Sequence, residues 1–279
     1  MTDRPRAVLS VDFELFEHTP AVRNAAGDLP ETGVGLDGGR FLREAFEDHD
    51  AATTWFVVSE VAEEFPDAVR SLATEEHEIG SHTRTHQLLT DLNPEERRAQ
   101  LQASREALQT VTGREVAGFR APAFDFPADH FEALAAAGYD YDSSVVASRA
   151  IPGWYGGEYE LQRPAPARTV QAGAPPELSE LPVSVMPRLR LPLTGTWLRF
   201  FGPRYTIWGM RWLARRNITP VLYVHPWELV DLPAVEGVPG RVYWHTGAWM
   251  RRAVNRILGT EFQFVTAREA LAAAESTRA

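Results

Sequence analysis

Along most of the chain, short apolar runs rich in β-branched residues alternate with stretches of helical period. Ala7–Phe13 ("AVLSVDF") and Thr53–Val58 ("TTWFVV") read as strands, followed by "HEIGSH", "VAGFRAP" and "YDYDSSVV". "LPVSV", "ITPVLYVHP" and "FQFVT" read as later strands. Between them, "GGRFLREAFEDHD", "SEVAEEFPDAVRSLATEE" and "PADHFEALAAAG" space their apolar residues for helices. So do "TIWGMRWLARR", "TGAWMRRAVNRILG" and "AREALAAAE". The pattern in "NPEERRAQLQASREALQTVTG" starts at Asn93–Pro94 and stops at Gly113, as capping chemistry requires. Repeated strand–helix units predict an α/β fold of parallel strands with helices outside, either a barrel or a doubly wound sheet. The rhythm lapses over Ile151–Glu180, which is rich in proline and glycine. Strands resume beyond it, so this segment reads as a surface excursion over the site rather than a linker. No internal repeat and no domain boundary are evident, so residues 1–279 are expected to be a single domain.

Composition narrows the function. With 279 residues, 44% of them hydrophobic, the chain can bury a large core. Its apolar runs are short and interrupted, so no membrane span is expected. The start, "MTDRPRAVLSVDFE", passes almost directly into a strand, with no basic segment leading a long apolar stretch. No secretory signal is read there, and a cytoplasmic location is expected. There is no cysteine, which leaves histidine and carboxylate as metal ligands. There is no lysine either, so all 28 basic residues are arginine, against 38 acidic ones, for a net charge of -10. That balance argues against a nucleic-acid partner. It also suggests adaptation to high salt, where a carboxylate-rich surface stays hydrated.

In parallel α/β proteins the ligand site lies at the carboxyl ends of the strands. Asp12 and Glu14 end the first strand two residues apart, so both face one cavity. His82 and His86, in "GSHTRTH", follow the third strand four residues apart, a spacing that on a helix would stack two imidazoles on one face. Arg120 ends the fourth strand in "GFRAP", Asp142 the fifth, and His225 the strand "LYVHP". His18, His49, His77, His130 and His245 sit in helical or loop contexts without such company. Two histidines and a carboxylate make a metal site with open positions. A second carboxylate suits a general base, an arginine can pair with that base, and a further histidine suits a general acid.

This ordered set, from about Ala7 to His225, resembles the polysaccharide deacetylase family, also called the NodB-homology family or carbohydrate esterase family four. Asp12 and Glu14 match the opening motif of a base aspartate and a metal carboxylate. "SHTRTH" matches (S/T)-H-x-x-x-H, Arg120–Pro122 matches R-x-P, and "LYVHP" matches the strand that ends in histidine. A phenylalanine separates the two acids, and the second is glutamate, as in the branch with a D-x-(D/E) start. That branch carries a C-terminal extension, here about residues 240–279.

The resemblance implies a distorted, incomplete (β/α) barrel of seven parallel strands. It implies a divalent metal, zinc first, on Glu14, His82 and His86, with Asp12 as base and Arg120 orienting it. His225, held by Asp142, would be the acid, and Pro122 and Trp227 would meet substrate. The implied reaction removes an acetyl group from an N-acetylated sugar of a glycan or glycolipid precursor. Three alternatives stay open: hydrolysis of a formamido-sugar lipid or of a cyclic ureide or imide, non-catalytic sugar binding, and a non-haem iron oxygenase, whose metal the same ligands suit.

Overall fold

Strand β1 (Arg6–Phe13) is buried on both faces and sits at the centre of the fold. Ala7, Leu9, Val11 and Phe13 join the large core beneath the helices, while Val8 joins a separate cluster with Phe56, Tyr141, Leu181 and Val221. The second cluster is the barrel interior, so the even-numbered side chains of β1 point inward. This computed structural model describes all residues except 1–3, 26, 28, 30, 75, 152–155 and 277–279.

The other strands are β2 (Thr54–Val57), β3 (Glu78–Ser81), β4 (Gly118–Phe119), β5 (Tyr141–Asp142), β6 (Ala165–Pro166), β7 (Ser179–Glu180), β8 (Val221–Val224) and β9 (Gln263–Phe264). Their order is β6-β7-β5-β4-β3-β2-β1-β8, with β9 pairing the first residues of β1. Seven of them, β7 through β8 in that order, are mutually parallel, and β6 lies antiparallel at the edge. The sheet curls until one residue meets the far side. Ser184, on the run beyond β7, donates its N–H to the Val221 carbonyl (2.8 Å), and its Oγ accepts from Val221 N–H (2.9 Å). The architecture is thus an α/β barrel of seven parallel strands with a one-residue seam.

The helices are α1 (Pro20–Arg23), α2 (Leu36–Asp48), α3 (Ser59–Glu64), α4 (Pro66–Arg70), α5 (Pro94–Thr112), α6 (His130–Ala136), α7 (Gly195–Phe201), α8 (Pro203–Ala214), α9 (Ala248–Leu258) and α10 (Ala267–Ser276). Helix α5 begins and ends where its caps dictate. Asn93 Oδ1 accepts from the N–H groups of Glu95 and Glu96, Glu96 returns the bond, and Gly113 closes the helix at φ 66°. The single helix read over residues 59–76 divides at Pro66, which has no N–H to continue the ladder.

Other expectations change more. Residues 151–180 are not only a surface excursion, because β6 and β7 belong to the sheet. The strand read at "LPVSV" forms only isolated bridges at Val183 and Val185. The described part of the 240–279 segment, residues 240–276, is built into the body. Strand β9 pairs with β1, and Ala267, Ala270 and Leu271 of α10 plug the barrel interior at the amino ends of the strands. Only the carboxyl ends stay open. Among the described residues, no helix is long and apolar enough to cross a membrane.

Candidate active site

The open end of the barrel is a cleft of about 780 Å³. Asp12, Glu14, His82, His86, His225 and Trp227 all line it, with Arg120 buried beneath. Parity explains the gathering. Position 12 of β1, position 80 of β3 with 82 just beyond it, and position 223 of β8 with 225 just beyond it share the inward face. Gly80 and Gly118 leave room on that face, since a Cβ on either would strike Phe56 or Tyr141.

Glu14, His82 and His86 bring their ligand atoms within 4.8 Å of one another, all buried. The two histidines are not on a helix. His82 follows β3 directly, and the chain turns back through Thr83 and His86, both at positive φ (65° and 58°). Thr83 Oγ1 accepts from His86 N–H and closes the turn. The Nδ1 of His82 lies 2.7 Å from the Arg120 carbonyl, which fixes the tautomer and turns Nε2 toward the cleft. The His86 Nε2 contacts Glu14 Oε2, and the Trp227 indole N–H donates to Glu14 Oε1 at 3.0 Å. Burial works to raise the pKa of Glu14, yet the imidazoles of His86, His225 and His82 hold it well below the usual carboxylate range. Burial pushes His82 down to about 4, against the pull of Asp12. The trio therefore presents an anion and a neutral imidazole at neutral pH.

Asp12 is anchored from below. Arg120 Nη1 donates to Asp12 Oδ1 (2.6 Å) and Ser10 Oγ (2.8 Å), and its Nε and Nη2 donate to Ser143. The guanidinium lies 4.2 Å from the Phe56 ring centroid, a fully enclosed cation with every direction filled.

Across the cleft, His225 follows β8 directly, with Nε2 3.7 Å from Glu14 Oε1. Its expected partner is corrected here. Asp142 does not reach His225, because Tyr141 and Ser143 take the inward positions of this stretch and Asp142 faces outward. There it meets His130 of α6 (3.4 Å) and accepts from Ser144 Oγ (2.7 Å). Burial, then the charge of the neighbouring Asp142, raises the Glu180 carboxyl well above the usual carboxylate range. The partner of His225 is Glu228, whose Oε2 accepts the His225 backbone N–H (2.9 Å) and sits 3.3 Å from Nδ1. Arg199 Nε donates to the other Glu228 oxygen at 2.8 Å. Burial works downward on His225, but the hydrogen bond and charge of Glu228, then Glu14 and Asp12, lift its pKa to about 9. The signal for Glu228 was in the sequence: a carboxylate three residues after the strand end in "HPWE", the spacing of a capping box. Arg199 left no comparable signal.

Pro122 does not line the cleft either. It is buried and starts a tight turn whose next two residues, Ala123 and Phe124, take positive φ and present themselves to the cleft instead. Gly156, Glu158 and Tyr159 of the 151–180 segment also line it, so the described part of that segment borders the site; residues 152–155 lie outside the described residues.

Comparison with known proteins agrees with this geometry. Residues 42–141 match the family model "Polysaccharide deacetylase", and residues 143–272 match a domain of unknown function, DUF3473. The two stretches meet at β5 and share one sheet, and Asp12 and Glu14 precede both. A peptidoglycan-N-acetylglucosamine deacetylase of Bacillus cereus is 34% identical over 83 residues, 30% of each chain. A peptidoglycan deacetylase of Helicobacter pylori is 23% identical over 51% of each chain. The matched stretches thus span about half the length of these curated relatives or less. A crystal structure from Mycobacterium smegmatis, assigned as a polysaccharide deacetylase, superposes with TM-score 0.72 at 20% identity, covering 100% of this chain and 93% of that one. An allantoinase structure superposes with TM-score 0.59 at 16% identity, covering 86% of this chain and 72% of that one. At those identities the likeness concerns the fold alone.

Proposed function

The chain belongs to the polysaccharide deacetylase family, and on that premise we propose that its cleft is a metal-dependent amide hydrolase site. The reaction is removal of the acetyl group from an N-acetylated sugar of a glycan or lipid-linked precursor. One observation carries the reading: a buried Glu–His–His trio is flanked by a carboxylate and a histidine that the trio does not need as ligands. The names of the curated relatives support an acetamido sugar as the substrate class.

The donor set fits a divalent ion. Glu14 Oε2 and His86 Nε2 face each other at close contact, and the His82–Arg120 carbonyl pairing leaves the Nε2 lone pair of His82 available. One carboxylate and two imidazoles, with no thiolate in the chain, suit zinc. Held by Glu14, His82 and His86, such an ion would supply Lewis acidity, polarising the acetamide carbonyl and acidifying a water.

The rest is done by side chains. Asp12, with Oδ1 fixed by Arg120, takes a proton from the attacking water as its oxygen bonds to the carbonyl carbon. His225, protonated and oriented by Glu228, gives a proton to the sugar nitrogen as the C–N bond breaks. The products are acetate and a free amino sugar. Trp227 steadies Glu14 through its indole N–H and stacks on His225 (5.1 Å), so it braces ligand and acid together.

The test is mass spectrometry of acetamido-sugar glycans incubated with zinc-loaded protein. Loss of acetyl from the glycan, abolished by chelation, is the expected result. An unchanged glycan across such substrates, with the metal bound, rejects the reading.

A further inference from the structure

Residues 181–227 contain seven arginines and not one acidic residue, while the rest of the chain sets 21 arginines against 38 acids. This segment builds α7 and α8. Along α8 the solvent face runs Arg204, Trp208, Arg211, Arg215, at the i, i+4, i+7, i+11 spacing of one helical stripe, and all four are exposed. The opposite face, with Ile207, Met210 and Leu213, is buried.

The exposed apolar side chains collect in the same place. Four large hydrophobic residues stand out among the described residues as exposed: Leu189 (47%), Phe201 (51%), Trp208 (50%) and Trp244 (58%). The first three lie in the acid-free segment, and Trp244 packs on Phe200 of α7 (5.9 Å). Ring contacts run from there through Trp197 and Phe201 to Tyr205. Trp208 and Trp212 continue the series along α8 at 5.2 Å, with Arg188 and Arg216 over the Trp212 ring. At its inner end, Phe200 lines the cleft.

Aromatic rings rimmed by arginines on one helix face, in a protein that is otherwise acidic, match the chemistry of a bilayer interface. Tryptophan and phenylalanine settle at the headgroup boundary, and guanidinium groups pair with anionic headgroups. The charge balance matters because the chain outside residues 181–227 is net acidic, so an anionic layer favours approach by the arginine-rich, aromatic face. Arg211 is matched by Glu261 and Arg199 by Glu228, while Arg188, Arg204, Arg215 and Arg216 make no ion pair among the described residues.

We propose that the α7–α8 face docks the protein on an anionic lipid surface, with the cleft mouth at the membrane edge. Docking does not depend on the catalytic reading. It would place a glycan carried on a membrane lipid beside the aromatic wall of the cleft.

The experiment is cosedimentation of the full chain with vesicles of equimolar phosphatidylglycerol and phosphatidylcholine, against phosphatidylcholine alone, at about 0.1 M salt, where charges within roughly 10 Å still interact. Wild-type protein is expected to bind the anionic vesicles and scarcely the neutral ones. Arg204→Ala with Arg215→Ala should weaken partition roughly 25-fold, at about fivefold per arginine. Phe201→Ala with Trp208→Ala should weaken partition and reduce quenching of tryptophan fluorescence by brominated lipid. Both variants alter exposed residues outside the cleft, so turnover of a water-soluble acetamido sugar should be unchanged. The proposal is overturned if wild-type protein ignores anionic vesicles, or if it binds both vesicle types equally. It is likewise overturned if it binds only an acidic polysaccharide, or if the face proves to be buried in a dimer. Unchanged partition of both variants also overturns it. If a variant misfolds, the wild-type comparison of the two vesicle types still decides.

Discussion

At the scale of residues, the ligands and the titrating groups make separable predictions. His82→Ala with His86→Ala should lose metal on dialysis against chelator, measured by elemental analysis, because two of three ligands are gone. Asp12→Asn should keep its metal and lose activity by a factor of roughly 100 or more, the usual scale of general-base contributions. The acid predicts a pH effect. His225 sits near 9, held there against burial chiefly by Glu228, so its protonated form persists at neutral pH and is lost as pH rises through that value. Glu228→Gln removes the anion, leaves burial less opposed, and should move the basic limb of kcat/KM to lower pH. A limb that stays in place would mean that another group sets it. The clustering of Glu14, His82 and His86 was legible because their spacing and strand-end position are fixed in the sequence. The partner of His225 was not legible. The expected Asp142 lies on β5, where it shares neither the inward face nor the neighbourhood of His225, and inward or outward on a two-residue strand depends on a register that only pairing fixes.

At the scale of elements, two glycines let helices approach the loop after β8. A Cβ at Gly195, the first residue of α7, would lie 2.1 Å from Glu228 Oε2. Gly195→Ala should therefore push that carboxylate off His225 and shift the basic limb in the same direction as Glu228→Gln, without removing any charge. A profile identical to wild type would show that the carboxylate relaxes without cost. A Cβ at Gly38 of α2 would lie 2.0 Å from the Pro226 carbonyl oxygen, a backbone atom that cannot swing aside. Gly38→Ala should cost about 1–3 kcal/mol of stability, the usual range for overpacking, read from denaturant unfolding. Helices with strong caps and clear period, such as α5, were legible in the sequence. Helix α7 was not, because "GTWLRFF" has neither a polar face nor a capping side chain. Strand β9 was legible in "FQFVT", whereas the sheet roles of β6 and β7 were hidden because they are two-residue strands inside the proline- and glycine-rich stretch 151–180, where no period survives.

At the scale of the whole molecule, charge is distributed unevenly, and that bears on stability. The net charge is -10, yet the α7–α8 segment is wholly basic, so the remaining surface carries an excess of 17 acids over arginines. Many exposed acids there have no cationic neighbour to offset them, and their mutual repulsion opposes the folded state more than the expanded one. Screening removes this penalty. At molar ionic strength the Debye length falls to about 3 Å, shorter than the separation of most surface charges. Surface ion pairs such as Arg211–Glu261 weaken as well, but exposed pairs contribute little, about 0–1 kcal/mol each. The repulsive term is larger in number and longer in reach, so its relief should win. Thermal melts in low and molar potassium chloride should show Tm rising with salt. The expected size is a few degrees, since about 1 kcal/mol moves Tm by roughly 2–4 °C in a chain near this size. A Tm that is flat or falls would mean that attractive pairs outweigh the repulsion, and that the lysine-free, acidic composition is no adaptation to salt.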